Sequence, residues 1–164
     1  VSHSLAASGL PVTPVEPPPE PLLEPLGGDR LGAGARGMDM ILEGFLLHHG
    51  TPRATRADDP DAELLAGDFC YAEGLVAVAE AGDLGAIRAL ARLIALGSAL
   101  AAEDRGAELA ALWQTTARAI GQDEGARERL ADAVRELADG HPERLVALAD
   151  TTDDTYQRLM EALA

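Results

Sequence analysis

The sequence predicts an all-α fold, a helical bundle preceded by a Pro-rich tail. Three observations carry that prediction. Ala, Leu, Glu and Arg dominate the 164 residues, only 3% are aromatic, and β-branched runs are missing, so strong helix formers prevail. Apolar residues recur at three- and four-residue steps through most of the chain after residue 29. Between those runs stands helix punctuation, Asp-Pro at starts and Gly at stops. By length the chain is one domain with a tail, 29–164 and 1–28, and is long enough to bury a core.

Pro11, Pro14, Pro17, Pro18, Pro19, Pro21 and Pro25 oppose regular helix or strand in the tail, so residues 1–28 are expected to be disordered with polyproline II character. Leu22 and Leu23 are placed to dock on the domain. A first helix is expected within 29–49. Leu31, Ala35, Met38, Ile41, Leu42, Phe45 and Leu46 keep its period. Gly32, Gly34 and Gly37 weaken its first half, each by about 1 kcal/mol against Ala, so its firm part is Met38 to His49. Gly50 caps it, Pro52 prevents its continuation, and 51–58 form a polar loop with Arg53 and Arg56.

The organising stretch is Asp58 to Ala102, read as a helical hairpin of 60–81 and 84–103. Asp59 is the N-cap, Pro60 takes the first helical position, and Asp61 and Glu63 face the positive end of the dipole. Leu64, Leu65, Ala72, Leu75, Val76 and Ala79 are expected on the buried face. Gly82 stops this helix and Asp83 caps the next, whose expected face is Ile87, Leu90, Ala91, Ile94 and Leu100. A break at 103–106 precedes a helix over 107–120 with Leu109, Leu112, Trp113, Thr116 and Ile120 on one side. A charged helix over 123–139 carries a stripe of Leu130, Val134 and Leu137. The last helix spans 142–163, with a weak spot at Thr151 to Thr155, where side chains compete for backbone hydrogen bonds.

Leu65-Ala66-Gly67-Asp68, followed by a small-residue helix, resembles the Leu-x-Gly-Asp helix of the trans-prenyltransferases, the polyprenyl diphosphate synthases. Upstream, Phe45-Leu46-Leu47-His48-His49-Gly50-Thr51-Pro52-Arg53 is similar to a collapsed form of that family's next block, in which a histidine, metal-binding aspartates and an Arg-Arg-Gly-x-Pro element follow one another. His48 stands for the family histidine, or His48-His49 for the arginine pair. On either placement the aspartates are missing. The resemblance covers roughly residues 38 to 103. It implies a partial isoprenoid-synthase-like bundle that is not active alone; any activity would be prenyl transfer. It also implies a subunit that partners and modulates a catalytic prenyltransferase, or associates with itself. His48, His49 and Arg53 would line a degenerate site or a subunit contact, and Asp68 would cap or brace the helix interior. No cofactor is expected, with magnesium entering only if a prenyl diphosphate site survives.

The residues also set bounds. The formal net charge of −15 lacks the basic footprint that nucleic acid requires and repels anionic lipid surfaces. It is read as solubility, with an Arg-rich protein partner as the sharper alternative. No stretch is read as long and apolar enough to span a bilayer, and no signal peptide is evident, so the expected location is cytoplasmic without membrane insertion. Cys70, the single cysteine, reads as a small buried hydrophobe. Asp58-Asp59 reads as a cap and Asp153-Asp154 lacks the surroundings of a metal motif. Adjacent histidines on a helix point about 100° apart, which makes His48 and His49 poor joint ligands. The competing function is an acidic helical interaction or assembly module unrelated to isoprenoid synthesis, with 123–163 presenting the partner surface.

Overall fold

A buried helix organises the bundle. The computed structural model describes residues 1–164, and every side chain except those of Ser2 and Asp29. In it, α3 (Arg36–His49) is buried from Gly37 to Leu47. Met38, Ile41, Leu42, Phe45 and Leu46 give it apolar contacts on several sides, and its two buried acids, Asp39 and Glu43, are hydrogen-bonded to backbone amides. A second buried helix, α6 (Gly106–Gly121), carries Trp113, whose ring meets Phe45 edge-on at 5.3 Å between centroids. Around these two lie α4 (Pro60–Glu80) on α3, and α5 (Leu84–Ala102) and α7 (Glu124–Ala138) on α6. The all-α class is observed.

The punctuation is where the sequence places it. Asp59 accepts from the Ala62 amide at 2.8 Å, Asp83 from Ala86 at 3.0 Å and Asp123 from Ala126 at 2.9 Å. Gly82, at φ +76°, takes the left-handed stop between α4 and α5. The first helix region is divided. α2 (Glu24–Leu31) ends at Gly32, also at positive φ, and a 3-10 turn over Gly32–Ala35 leads into α3. The weak spot in the last helix is a complete break between α8 (Glu143–Leu148) and α9 (Asp154–Ala162). There the buried Gln114 of α6 accepts from the Asp150 amide at 2.9 Å and donates to the Asp153 carboxylate at 2.9 Å.

The orientation of α4 differs from the expectation. Leu64, Leu65 and Val76 are 54%, 52% and 53% exposed, and Ala72 and Ala79 are exposed too. The buried residues are Ala62, Ala66, Gly67, Cys70, Gly74 and Val78. The reason is close approach to α3. A Cβ on Gly37 would lie 2.5 Å from the Gly74 carbonyl oxygen, and one on Gly74 2.7 Å from that of Gly37. Backbones this near admit only small residues, so the large ones turn outward. In α5 the buried residues are Ala86, Leu90, Leu93, Gly97 and Leu100, while Ala91 is exposed.

The tail is folded against the domain, not disordered as expected. α1 (Ser2–Ala7) places Leu5, fully buried, in a small cluster with Met40, Leu47, Ala66 and Cys70. β1 (Val12–Pro14) pairs antiparallel with β2 (Thr55–Ala57), Thr13 opposite Arg56. Proline removes amide donors but does not prevent side chains from anchoring. Leu5, Leu22 and Leu23 supply that anchoring. One further expectation is corrected: α5, with mean hydropathy 1.6 over its apolar window, is long and apolar enough to cross a membrane by length and composition.

Candidate functional site

The C-terminal end of α3 presents two histidines to two different neighbours. His48 faces α4. Its ring lies over Gly67, where a Cβ would come within 2.5 Å of Nε2, and it stacks on Tyr71 at 5.2 Å and 15°. Nε2 is 3.3 Å from Asp68 Oδ1. That is ion-pair distance without hydrogen-bond alignment, and both His48 Nε2 and Tyr71 Oη are buried with no hydrogen-bond partner. His49 faces α5, with Nε2 3.0 Å from Ser98 Oγ and its ring 4.8 Å from Phe45. Burial, and then the neighbouring His48, hold the His49 imidazole below its ordinary pKa.

Asp68 and Arg53 have different surroundings. The Asp68 side chain is 68% exposed and braces nothing inside the helix. One residue beyond Gly67, it points about 100° round the helix from the seam set by Gly67 and Cys70. Arg53 is not part of the histidine cluster. Its Nη2 donates to the Glu20 carbonyl at 2.8 Å, which ties the loop after α3 to the leader. The structure therefore brings together His48, His49 and Asp68, and sends Arg53 to a separate region.

That region contains two residues that sequence reasoning missed, Asp39 and Glu43. They are 8% and 3% exposed, one helical turn apart on α3. Asp39 accepts from the amides of Leu22, Leu23 and Glu24 at 2.7, 3.1 and 2.7 Å. It thereby caps α2 from another helix. Glu43 accepts from the amides of Arg53, Ala54 and Thr55 at 3.1, 2.8 and 3.2 Å. Burial nonetheless pushes the Glu43 carboxyl above its ordinary pKa, with those amides opposing. The signal was present in the sequence as two acids at i and i+4 inside an otherwise apolar helix.

The chemistry available is limited. His48 and Asp68 supply one imidazole and one carboxylate, which does not match the oxygen-rich octahedral set that magnesium requires. Among the described residues no group of three His, Cys, Asp or Glu is set to hold a metal ion. Asp153 pairs with Arg118 at 2.8 Å, and Asp59 is a helix cap. What the hairpin does present is apolar surface. Leu65, Ala72, Val76 and Ala79 follow one exposed strip of α4, with the partly buried Phe69 among them, and Leu84 at the start of α5 is 67% exposed. No known protein family, curated protein or solved structure matches the chain significantly.

Proposed function

We propose that the chain is a non-catalytic helical subunit that associates with a protein partner through the outer face of α4 and the start of α5. By the resemblance of its sequence, that partner is a catalytic prenyltransferase chain. The observation that carries the reading is the inversion of α4: its glycines are buried and its leucines face out. Leu64, Leu65 and Val76 are each about half exposed, so covering them would add roughly 3 kcal/mol to an association. The charge on this helix selects the partner. Asp61, Glu63, Asp68, Glu73 and Glu80 lie on α4 with no basic residue among them, which favours an apolar surface edged with basic side chains. Two further contacts support the prenyltransferase-like reading. His48 lies on Gly67 and beside Asp68, so the two stretches that carry the resemblance meet in space.

The test is recovery from the native host with tagged chains. The wild type should bring down a longer synthase carrying both aspartate motifs. Leu65→Glu with Val76→Glu should weaken that recovery about a hundredfold, on the order of tenfold per side chain removed from an apolar contact. Unchanged recovery by the double variant would show that this face is not the contact. Recovery of unrelated proteins would favour the acidic interaction or assembly module. A doubled mass in light scattering would make the partner a second copy, with Arg88 and Arg92 of its α5 opposite the acids of α4.

A further inference from the structure

Three arginines, two from the segment after α3 and one from α9, line one open cavity beside the end of α9. The cavity, about 330 Å³, is lined by Thr51, Pro52, Arg53, Arg56, Arg158 and Glu161. We propose that it binds a phosphate group, with the guanidinium groups of Arg53, Arg56 and Arg158 as the donors.

Against 28 acids, seven of the 13 arginines stand within ion-pair distance of a carboxylate among the described residues. Arg56 is not among them. Its Nη1 donates to the carbonyls of Pro52 at 2.7 Å and Thr55 at 2.8 Å, which orient the group without neutralising it. Arg53 is held in the same way by the Glu20 carbonyl. Arg158 has only a loose pair with the exposed Asp154, at 3.7 Å.

Arg53 and Arg158 are near enough for each to feel the other's charge: burial lowers the pKa of Arg53, Asp39 raises it, Arg158 lowers it and Glu43 raises it. Mutual repulsion of this kind is relieved by an anion between the groups. The scaffold under them is fixed, since the Thr51 amide donates to the Ala162 carbonyl at 3.1 Å and joins the loop to the end of α9. Glu161 is the one carboxylate in the lining, so the cavity stays positive. Planar guanidinium forks match tetrahedral oxyanions, and several together suit a doubly charged one. The acidic chain as a whole repels anions at long range, so occupancy must come from these local contacts.

The phosphate has two possible sources, inorganic phosphate and a phosphate ester. Each is titrated into the full chain at constant ionic strength, with amide shifts of 51–56 and 161–162 as the readout. Saturable shifts confined to those residues are expected. Glycerol 1-phosphate binding more tightly than inorganic phosphate would identify an ester, and equal binding would identify the free ion. Arg56→Ala and Arg158→Ala should each weaken binding about tenfold or more. Arg135→Ala, on the exposed side of α7, should leave it unchanged. Both test residues are at least partly exposed, and an unchanged melting temperature in chloride checks the fold; Arg56→Gln and Arg158→Gln serve the same purpose if either alanine variant unfolds. Absence of saturable shifts, or equal weakening by Arg135→Ala, would overturn the proposal. The titration needs no protein partner, so its outcome is separate from that of the α4 experiment.

Discussion

Asp83 concentrates more function in one side chain than its place in a short turn suggests. It caps α5 through the Ala86 amide and accepts two hydrogen bonds from Arg127, at 2.8 and 2.5 Å, with Arg30 at 3.5 Å. It thus joins the hairpin to α7 and α2. The Arg127 hydrogen bonds hold its carboxyl well below the usual carboxylate range, aided by the Ala86 amide and Arg30 and opposed by burial. A carboxyl depressed in the folded state contributes stability that is complete above its unfolded pKa, about 3.9, and is lost as pH falls through the folded value. Asp83→Asn should therefore cost about 2 kcal/mol at pH 7, less than a fully buried pair because the site is partly open to water. That corresponds to roughly 4–8 °C in melting temperature. The variant should also have a flatter stability curve below about pH 4. Parallel acid limbs for the two proteins would show that Asp83 is not the group responsible. Glu43 acts in the opposite sense: its raised carboxyl pKa makes a cost that grows as pH rises through it.

At the scale of the helix, α4 shows which information is local. Its start and stop were legible because capping is settled by neighbouring residues: Asp59, Pro60 and Gly82 act within one turn. Its buried face was not legible. The helix is apolar nearly all round, so periodicity cannot choose a side, and the choice is made by Gly37 and Gly44 on a different helix. The same holds for the site. His48 was readable as a residue at a helix end, but its position over Gly67 depends on that helix crossing. The crossing makes a signed prediction. Ala exceeds Gly in helix propensity by about 1 kcal/mol, so propensity alone would make Gly74→Ala stabilising. A Cβ there meets Ile41 at 2.6 Å and the Gly37 carbonyl at 2.7 Å, and overpacking of this kind costs roughly 1–3 kcal/mol. Gly74→Ala should therefore lower the denaturation midpoint. Gly125→Ala in α7, whose Cβ meets only the ends of Asp123 and Arg129 at 3.3 and 3.5 Å, should raise it. Equal effects at the two positions would refute close packing as the reason for the glycines.

For the molecule as a whole, the leader decides what is core and what is surface. Its proline content pointed to disorder, whereas the residues that hold it against the domain are spread through the chain. Leu5, Leu22 and Leu23 are buried, and Asp39, about fifteen residues beyond the last of them, accepts the amides of Leu22, Leu23 and Glu24. The Arg53, Arg56 and Arg158 cavity was hidden for the same reason, since α9 lies far along the sequence from the loop it completes. Under the leader sits Cys70, fully buried beside Leu5, its thiol pushed up to about 12 chiefly by burial. Only the thiolate reacts at an appreciable rate, so Cys70 should be nearly inert to alkylation in the folded wild type. Leu5→Asp places a charge where an apolar side chain fills the cluster, and should release α1 without disturbing the Phe45 and Trp113 core. Alkylation of Cys70 should then accelerate at least about tenfold at pH 8, while the melting transition of the bundle stays cooperative, because local opening needs less free energy than global unfolding. Equal rates in the wild type and Leu5→Asp would show that α1 does not cover Cys70. A matching loss of cooperativity would show instead that the leader is part of the folding unit, and that truncating it at residue 28 would remove stability along with cover.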